Sequence, residues 1–125
     1  SGRLNGVRIL VVEDEQNLRD SLLQMFRLES GNAIGASTLD EALSQITQSE
    51  SHPFDFVVSD VILPDGLGTH ILDLAVTGAL SSKIILMGGN FDPKVLNASQ
   101  VASMEAFLRK PFTLDGIVKK IQDAM

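Results

Sequence analysis

The sequence predicts an α/β fold in which helices cover both faces of a parallel five-stranded sheet. Five short apolar runs, most of them rich in β-branched residues, alternate along the chain with five segments of helical periodicity. The strongest runs do not alternate with polar residues, which is typical of strands buried on both faces of a sheet. The length of 125 residues is that of one ordinary domain.

The strands are predicted from short apolar runs, most of which end near an acidic residue, a glycine or a proline. They cover Val7–Val12, Ala33–Ala36, Phe54–Ser59, Ile84–Met87 and Glu105–Leu108. The second of these is short and weak. Acidic residues follow the first and third strands, Gly88-Gly89 follows the fourth, and Pro111 stops the last.

The first two helices are predicted from apolar residues three and four positions apart. Leu18 and Phe26 belong to the first helix, which stops before Gly31. Thr38, with Glu41 three residues later, predicts a capping box at the start of the second helix.

The third helix is predicted from Ile71, Leu74 and Ala75, and the last two are predicted from their caps. The third runs from Thr69 to Thr77, and the fourth starts at Asp92-Pro93 and runs to about Ser103. Thr113 caps the last helix. The stretch Asp60–Gly68 contains one proline and two glycines, and it is predicted to be a loop.

Composition excludes several classes of function. The net charge of −6 argues against a domain that binds nucleic acid or an anionic membrane by itself. No apolar run approaches the roughly 20 residues of a membrane span. The absence of cysteine excludes a disulfide scaffold and fits a cytoplasmic protein. We expect a single domain over 1–125, with 1–6 a disordered or cloning-derived start and any output domain outside this chain.

Charged side chains follow the strands at the edge where a parallel sheet binds ligands. Glu13 and Asp14 come after the first strand, Asp60 after the third and Lys110 after the last. Carboxylates that converge repel one another unless a cation lies among them, and Mg²⁺ prefers oxygen ligands. Lys110 would suit a phosphoryl group. These residues therefore predict a metal-assisted phosphoryl site with a carboxylate nucleophile.

Three segments resemble the receiver domains of response regulators, the CheY-like family of two-component signalling. They are Ile9–Glu15, Asp60–Gly68 and Phe107–Phe112. The resemblance extends from about Val7 to Ile121. It implies a flavodoxin-like (βα)5 three-layer sandwich with strand order 2-1-3-4-5, and it implies that Asp60 accepts a phosphoryl group from a phosphohistidine on a partner kinase or phosphotransfer protein.

The resemblance also implies roles for the other residues. Glu13, Asp14 and Asp60 would bind Mg²⁺ together with the backbone carbonyl of Ile62. Lys110 would contact the phosphoryl group through a loop whose bond to Pro111 is cis. Pro64 and Gly68 match the loop after Asp60, and Phe107 matches the aromatic switch position. Such a domain catalyses only its own phosphorylation and dephosphorylation, and it signals through the fourth helix, last strand and last helix to an output domain, a partner or a second copy.

One position departs from the family's pattern. Gly88 stands where these domains carry Thr or Ser, so the hydroxyl contact to the phosphoryl group is missing. An alternative is therefore a receiver-like interaction module that works without phosphorylation.

Two other classes fit less well. A phosphatase of the haloacid-dehalogenase type needs a second Asp two residues after the nucleophile, where this chain has Ile62. A flavin mononucleotide site is disfavoured because the acidic residues after the first strand would repel its phosphate unless a metal intervened.

Overall fold

A computed structural model describes residues 1–125 as seven strands, five α-helices and one 3₁₀ turn. The strands are β1 (Arg8–Val12), β2 (Asn32–Ala36), β3 (Phe56–Asp60), β4 (Ile62–Leu63), β5 (Gly66–Leu67), β6 (Lys83–Gly88) and β7 (Met104–Arg109). The helices are α1 (Gln16–Leu28), α2 (Leu39–Gln48), α3 (Thr69–Val76), α4 (Ala98–Ser103) and α5 (Leu114–Asp123), and the 3₁₀ turn is Pro93–Val95.

Five strands form one parallel sheet in the order β2-β1-β3-β6-β7. Counted without the short strands β4 and β5, this is the order 2-1-3-4-5, so the predicted flavodoxin-like fold is confirmed. β1 and β3 are adjacent at the centre of the sheet, where the chain reverses its direction of winding. Ligands of such sheets bind at this switch point, beyond the carboxyl ends of the strands.

The core has two layers, one on each face of the sheet. Apolar residues of α1 and α5 pack on one face, and those of α2 and α3 pack on the other. The central strands β1, β3 and β6 are almost completely buried, whereas the edge strand β7 is only partly buried. This burial explains why the central strands have no polar alternation.

The structure corrects two predicted elements. The predicted loop Asp60–Gly68 contains a small antiparallel hairpin in which Ile62 pairs with Leu67. The predicted helix from Asp92 to Ser103 is divided in two, because Leu96 is extended and Asn97 forms a new capping box with Gln100. The side chain of Asp92 caps only the 3₁₀ turn.

Two predictions about helix and chain starts are also corrected. Thr38 accepts a hydrogen bond from the Glu41 amide, but the Glu41 carboxylate accepts from Ser37 and does not return the bond to Thr38. Residues 1–6 are not disordered, because the Leu4 side chain is completely buried and its amide donates to the Glu29 carbonyl at 2.9 Å. The remaining predicted helix starts and stops agree with the structure to within a few residues.

No helix in the structure combines the length and the hydrophobicity that a membrane span requires.

Candidate functional site

Three carboxylates meet at the carboxyl ends of β1 and β3. Glu13 directly follows β1, and Asp60 is the last residue of β3. Because these strands are neighbours in the sheet, Glu13, Asp14 and Asp60 each place one oxygen within 4.8 Å of the others. Glu13 and Asp60 are buried and Asp14 is exposed, so this cluster, which we call the acidic pocket, opens to solvent on one side.

Lys110 supplies the positive charge of the acidic pocket. Its Nζ lies 2.7 Å from Glu13 Oε1 and 2.8 Å from Asp60 Oδ2, so one ammonium group is shared by two carboxylates. The loop that carries it follows β7, and the Lys110–Pro111 peptide bond is cis, as the resemblance implied. The Lys110 amide donates to the Gly88 carbonyl at 2.9 Å, which fixes this loop to the end of β6.

Burial and charge oppose each other in the acidic pocket. Burial raises the pKa of Glu13 above its usual value, although the bonds from Lys110 and from the Glu15 amide act in the other direction. Burial lowers the pKa of Lys110, but its bonds to Asp60 and Glu13 outweigh burial and the net shift is upward. Lys110 is therefore stabilised in its charged form, whereas its charge only partly compensates the buried carboxylate of Glu13.

The chain after β1 orders the pocket through backbone contacts. The Glu15 amide donates to Glu13 Oε2 at 3.0 Å, and the Glu15 side chain caps α1. Arg19 Nη1 donates to the Glu13 carbonyl at 2.8 Å. Arg19 was not singled out from the sequence, because nothing in the pattern distinguishes it from an ordinary exposed helix residue.

The loop after Asp60 closes tightly over the end of β3. A Cβ atom on Gly68 would lie 2.1 Å from the Asp60 carbonyl oxygen, so this close approach requires glycine. The Ile62 amide lies 3.4 Å from Asp60 Oδ1, which places the Ile62 backbone at the rim of the pocket. Its role as a carbonyl ligand remains a prediction.

Asp65 joins this loop to helix α2. Its two carboxylate oxygens accept bonds from the Leu39 and Asp40 amides at 2.8 and 2.9 Å, and these bonds lower the pKa of Asp65. The cap comes from a residue far along the chain. The sequence does not indicate this cap of α2, because capping patterns are recognised only between near neighbours in the chain.

Gly88 and Phe107 lie beside each other at the ends of β6 and β7. A Cβ atom on Gly88 would lie 3.2 Å from Phe91 Cβ and 3.4 Å from Phe107 Cζ. The Phe107 ring and the Phe91 side chain therefore border the space into which a larger side chain at position 88 would extend. The structure brings together all the predicted site residues on the sheet edge, with the acidic pocket at β1 and β3 and this pair at β6 and β7.

The residues of the acidic pocket fit a hard divalent cation. All the donors are carboxylate oxygens, Asp14 is open to solvent, and a single ammonium faces three carboxylates. A small cation with several bound waters needs only a few protein oxygens. The pocket could therefore bind a metal ion next to the Asp60 carboxylate.

Comparison with known proteins identifies the family. A family model described as "Response regulator receiver domain" matches residues 9–122. The transcriptional regulatory protein TcrA of Mycobacterium tuberculosis is 30% identical over 134 residues, and the match covers 97% of this chain and 47% of that protein. FixJ of Bradyrhizobium diazoefficiens, also a transcriptional regulatory protein, is 30% identical over 118 residues, with 94% of this chain and 56% of FixJ covered.

Solved structures agree with these matches. A CheY-like response regulator receiver domain protein from Methanospirillum hungatei superposes with a TM-score of 0.82 at 29% identity, covering 94% of this chain and 92% of that one. The receiver domain of HemR from Leptospira biflexa has the same fold, with a TM-score of 0.81 at 24% identity and coverage of 94% and 92%.

Proposed function

The chain belongs to the response regulator receiver domain family, and we propose that Asp60 is the residue that accepts a phosphoryl group. The observation that carries this proposal is the contact of 2.8 Å between Asp60 Oδ2 and Lys110 Nζ beside two further carboxylates. A carboxylate with an ammonium group fixed beside it is arranged to attack a phosphorus atom and to keep the charge of the transferred group balanced.

The proposed step is a transfer between two side chains. An oxygen of the Asp60 carboxylate attacks the phosphorus of a phosphohistidine, and the phosphorus–nitrogen bond breaks as the phosphorus–oxygen bond forms. The donor imidazole leaves with the electron pair of the broken bond. Lys110 turns its Nζ toward the oxygens of the phosphoryl group, which replace part of its contact with Asp60.

Mg²⁺ is the cation that we assign to the acidic pocket. Glu13, Asp14 and Asp60 would hold it, with the Ile62 carbonyl as a further ligand. When bound, it would supply positive charge to the phosphoryl oxygens. The chain's own contribution is to keep Glu13 buried and oriented through the Glu15 amide and Lys110.

The partners follow from the same proposal. The donor is a histidine kinase or a histidine phosphotransfer protein in the cytoplasm. The chain spans about half the length of the transcriptional regulators that it matches, and we propose an output domain or a second copy as the recipient of the signal at α4, β7 and α5. We propose that the domain catalyses only its own phosphorylation and dephosphorylation.

Incubation with Mg²⁺ and acetyl phosphate, followed by intact mass spectrometry, tests the proposal. Wild-type protein should gain one phosphate and Asp60→Asn should gain none, because the amide is not a nucleophile. Asp65→Asn is the matched control, since Asp65 is an acidic residue of the same loop that faces α2. A phosphate on Ser, Thr or His, or equal labelling of Asp60→Asn, would contradict the assignment.

A second candidate function is supported by Gly88. This glycine offers no hydroxyl to a phosphoryl group, and the Phe107 ring already packs against it. This second function is that of a receiver-like interaction module, which would bind its partner in one fixed conformation without phosphorylation. The variant Gly88→Thr should displace the ring and strengthen a change induced by beryllofluoride, measured as amide exchange in α4 and β7. If neither protein responds, the module works without phosphorylation.

A further inference from the structure

The end of β7 connects the acidic pocket to a second group of side chains. Arg109 and Lys110 are consecutive, and Lys110 reaches the carboxylates of Glu13 and Asp60. Arg109 reaches in another direction, where its Nη1 donates to the Gly89 carbonyl at 2.9 Å. Neighbouring residues at a strand end thus contact two different parts of the sheet edge.

Arg109 also contacts the aromatic ring two residues before it. Residues i and i+2 of a strand point to the same face, and the Arg109 guanidinium carbon lies 5.5 Å from the centre of the Phe107 ring. The Phe91 ring lies 5.9 Å from the same ring, centre to centre. Phe107 is therefore held both by Arg109 and by the loop that follows Gly88.

The same arginine holds that loop. Gly88 pairs with Arg109 in the register of β6 and β7, and the Lys110 amide donates to the Gly88 carbonyl. Gly89 has no atoms within 4 Å of a Cβ position, so side-chain packing does not restrain it. The backbone bonds of the sheet hold Gly88, and the Arg109 bond to the Gly89 carbonyl extends this restraint to Gly89, whose backbone has the conformational freedom of glycine.

We propose that Arg109 is a positioning residue that joins the loop Gly88–Phe91 to the Phe107 ring, in place of the link that a side chain at position 88 would make. The ring and the loop then move as one unit. The proposal rests on the proposed function only for its consequence in signalling, which is that a change at the acidic pocket reaches Phe107 through Arg109.

The test places a fluorine label on the ring and requires no phosphate. 4-Fluorophenylalanine is incorporated at position 107, and fluorine NMR is combined with amide exchange at residues 89–91. Arg109→Ala removes one carbonyl hydrogen bond and one cation–π contact, so we expect exchange in the loop to become roughly tenfold faster. The fluorine resonance should shift or broaden in the same variant.

Two further variants make the result specific. Arg109→Lys keeps the charge but loses the planar fork, and it should give a smaller change of the same kind. Lys83→Ala is the matched control, because Lys83 is an exposed cation near the Phe56 ring at the opposite end of β6. It should leave the fluorine resonance and the loop exchange unchanged.

Three results would overturn the proposal. The first is a fluorine resonance that does not change in Arg109→Ala, which would mean that the arginine restrains the loop alone. The second is an equal response in Lys83→Ala, which would indicate a general loss of stability. The third is obtained after addition of Mg²⁺ and beryllofluoride. It is a change of the fluorine resonance and of the loop exchange in Arg109→Ala that is as large as in wild-type protein.

Phosphorylation is measured separately on the same proteins. Arg109→Ala should gain phosphate from acetyl phosphate as wild-type protein does, since Arg109 does not contact Asp60. Failure of the wild-type protein to gain phosphate would contradict the proposed function. The coupling between ring and loop would then be judged from the fluorine NMR and amide exchange measured without beryllofluoride.

Discussion

Glu13 and Glu29 are both buried glutamates, but their surroundings are opposite. Glu13 is 0% exposed and shares its only cation, Lys110, with Asp60. Glu29 is 8% exposed and receives bonds from the guanidinium and amide of Arg3 and from the Ser1 hydroxyl. Burial raises the pKa of Glu13, whereas the bonds from Arg3 and Ser1 lower the pKa of Glu29 to about 2.

This difference in charge balance distinguishes the acidic pocket, a candidate binding site, from the structural ion pair of Glu29. Around Glu29 two cations face two carboxylates, because Arg3 pairs with both Glu29 and Asp115 and Lys119 Nζ lies 3.6 Å from Asp115 Oδ2. In the acidic pocket three carboxylates face one ammonium. An excess of negative charge costs stability, and it is retained where a cation is to be bound.

Removal of the cation from each region should give the largest change in the free energy of unfolding. Lys110→Ala leaves Glu13 buried beside Asp60 without a counter-charge, and it should lower the free energy of unfolding by up to about 3 kcal/mol in metal-free buffer. Arg3→Ala should also destabilise. Urea unfolding with and without Mg²⁺ distinguishes them, because Mg²⁺ should restore part of the loss in Lys110→Ala alone. Equal rescue of both variants would remove the contrast between the regions.

Metal binding should give the next largest effect. At a Mg²⁺ concentration about ten times Kd, binding should add about 1.4 kcal/mol to the free energy of unfolding. The variant Asp14→Ala should lose most of this gain because it removes the solvent-exposed ligand. Glu29→Gln, the control from the other region, should keep it. Thermal melts at several Mg²⁺ concentrations make the measurement, and an equal Mg²⁺ effect in Asp14→Ala would contradict the metal site.

The dependence of stability on pH should give the smallest effect, with opposite signs for the two glutamates. A lowered pKa stabilises the fold above the ordinary value of 4.5, and this contribution of Glu29 is lost as the pH falls toward about 2. A raised pKa acts in reverse, so Glu13 should reduce stability as the pH rises above 4.5. The measurement is the free energy of unfolding as a function of pH, in the presence of a chelator. Glu29→Gln should reduce the fall in stability below pH 4.5, and Glu13→Gln should remove the fall in stability above pH 4.5.

Much of the acidic pocket could be predicted from the sequence because its parts lie at strand ends. The apolar runs that form β1 and β3 are strong patterns, and the charged residue after each is visible in the chain. Once the strands are parallel and β1 and β3 are neighbours, Glu13, Asp14 and Asp60 must lie close together at one edge. The fold and the pocket therefore follow from the same local signals.

The contacts that could not be predicted join residues far apart in the chain. The contacts of Glu29 with Ser1 and Arg3 are not indicated by the sequence, since neither of these residues belongs to a recognisable pattern. Asp65 caps α2 across 26 positions, counting to Leu39. The break at Leu96 arises because Asn97 starts a second helix where the sequence also permits one continuous helix. Tertiary contacts decide the cases of Glu29 and Asp65, whereas the break at Leu96 follows from the local capping box of Asn97 and Gln100.

The burial of Leu4 has a practical consequence for anyone who divides this chain into working parts. A boundary drawn at the first strand would remove Leu4 together with the arginine that pairs with Glu29. The resulting cavity would lie in the layer that also contains Phe26 of α1 and Ile117 of α5. Loss of signalling in such a shortened protein would reflect a weakened fold, although every residue of the acidic pocket would still be present.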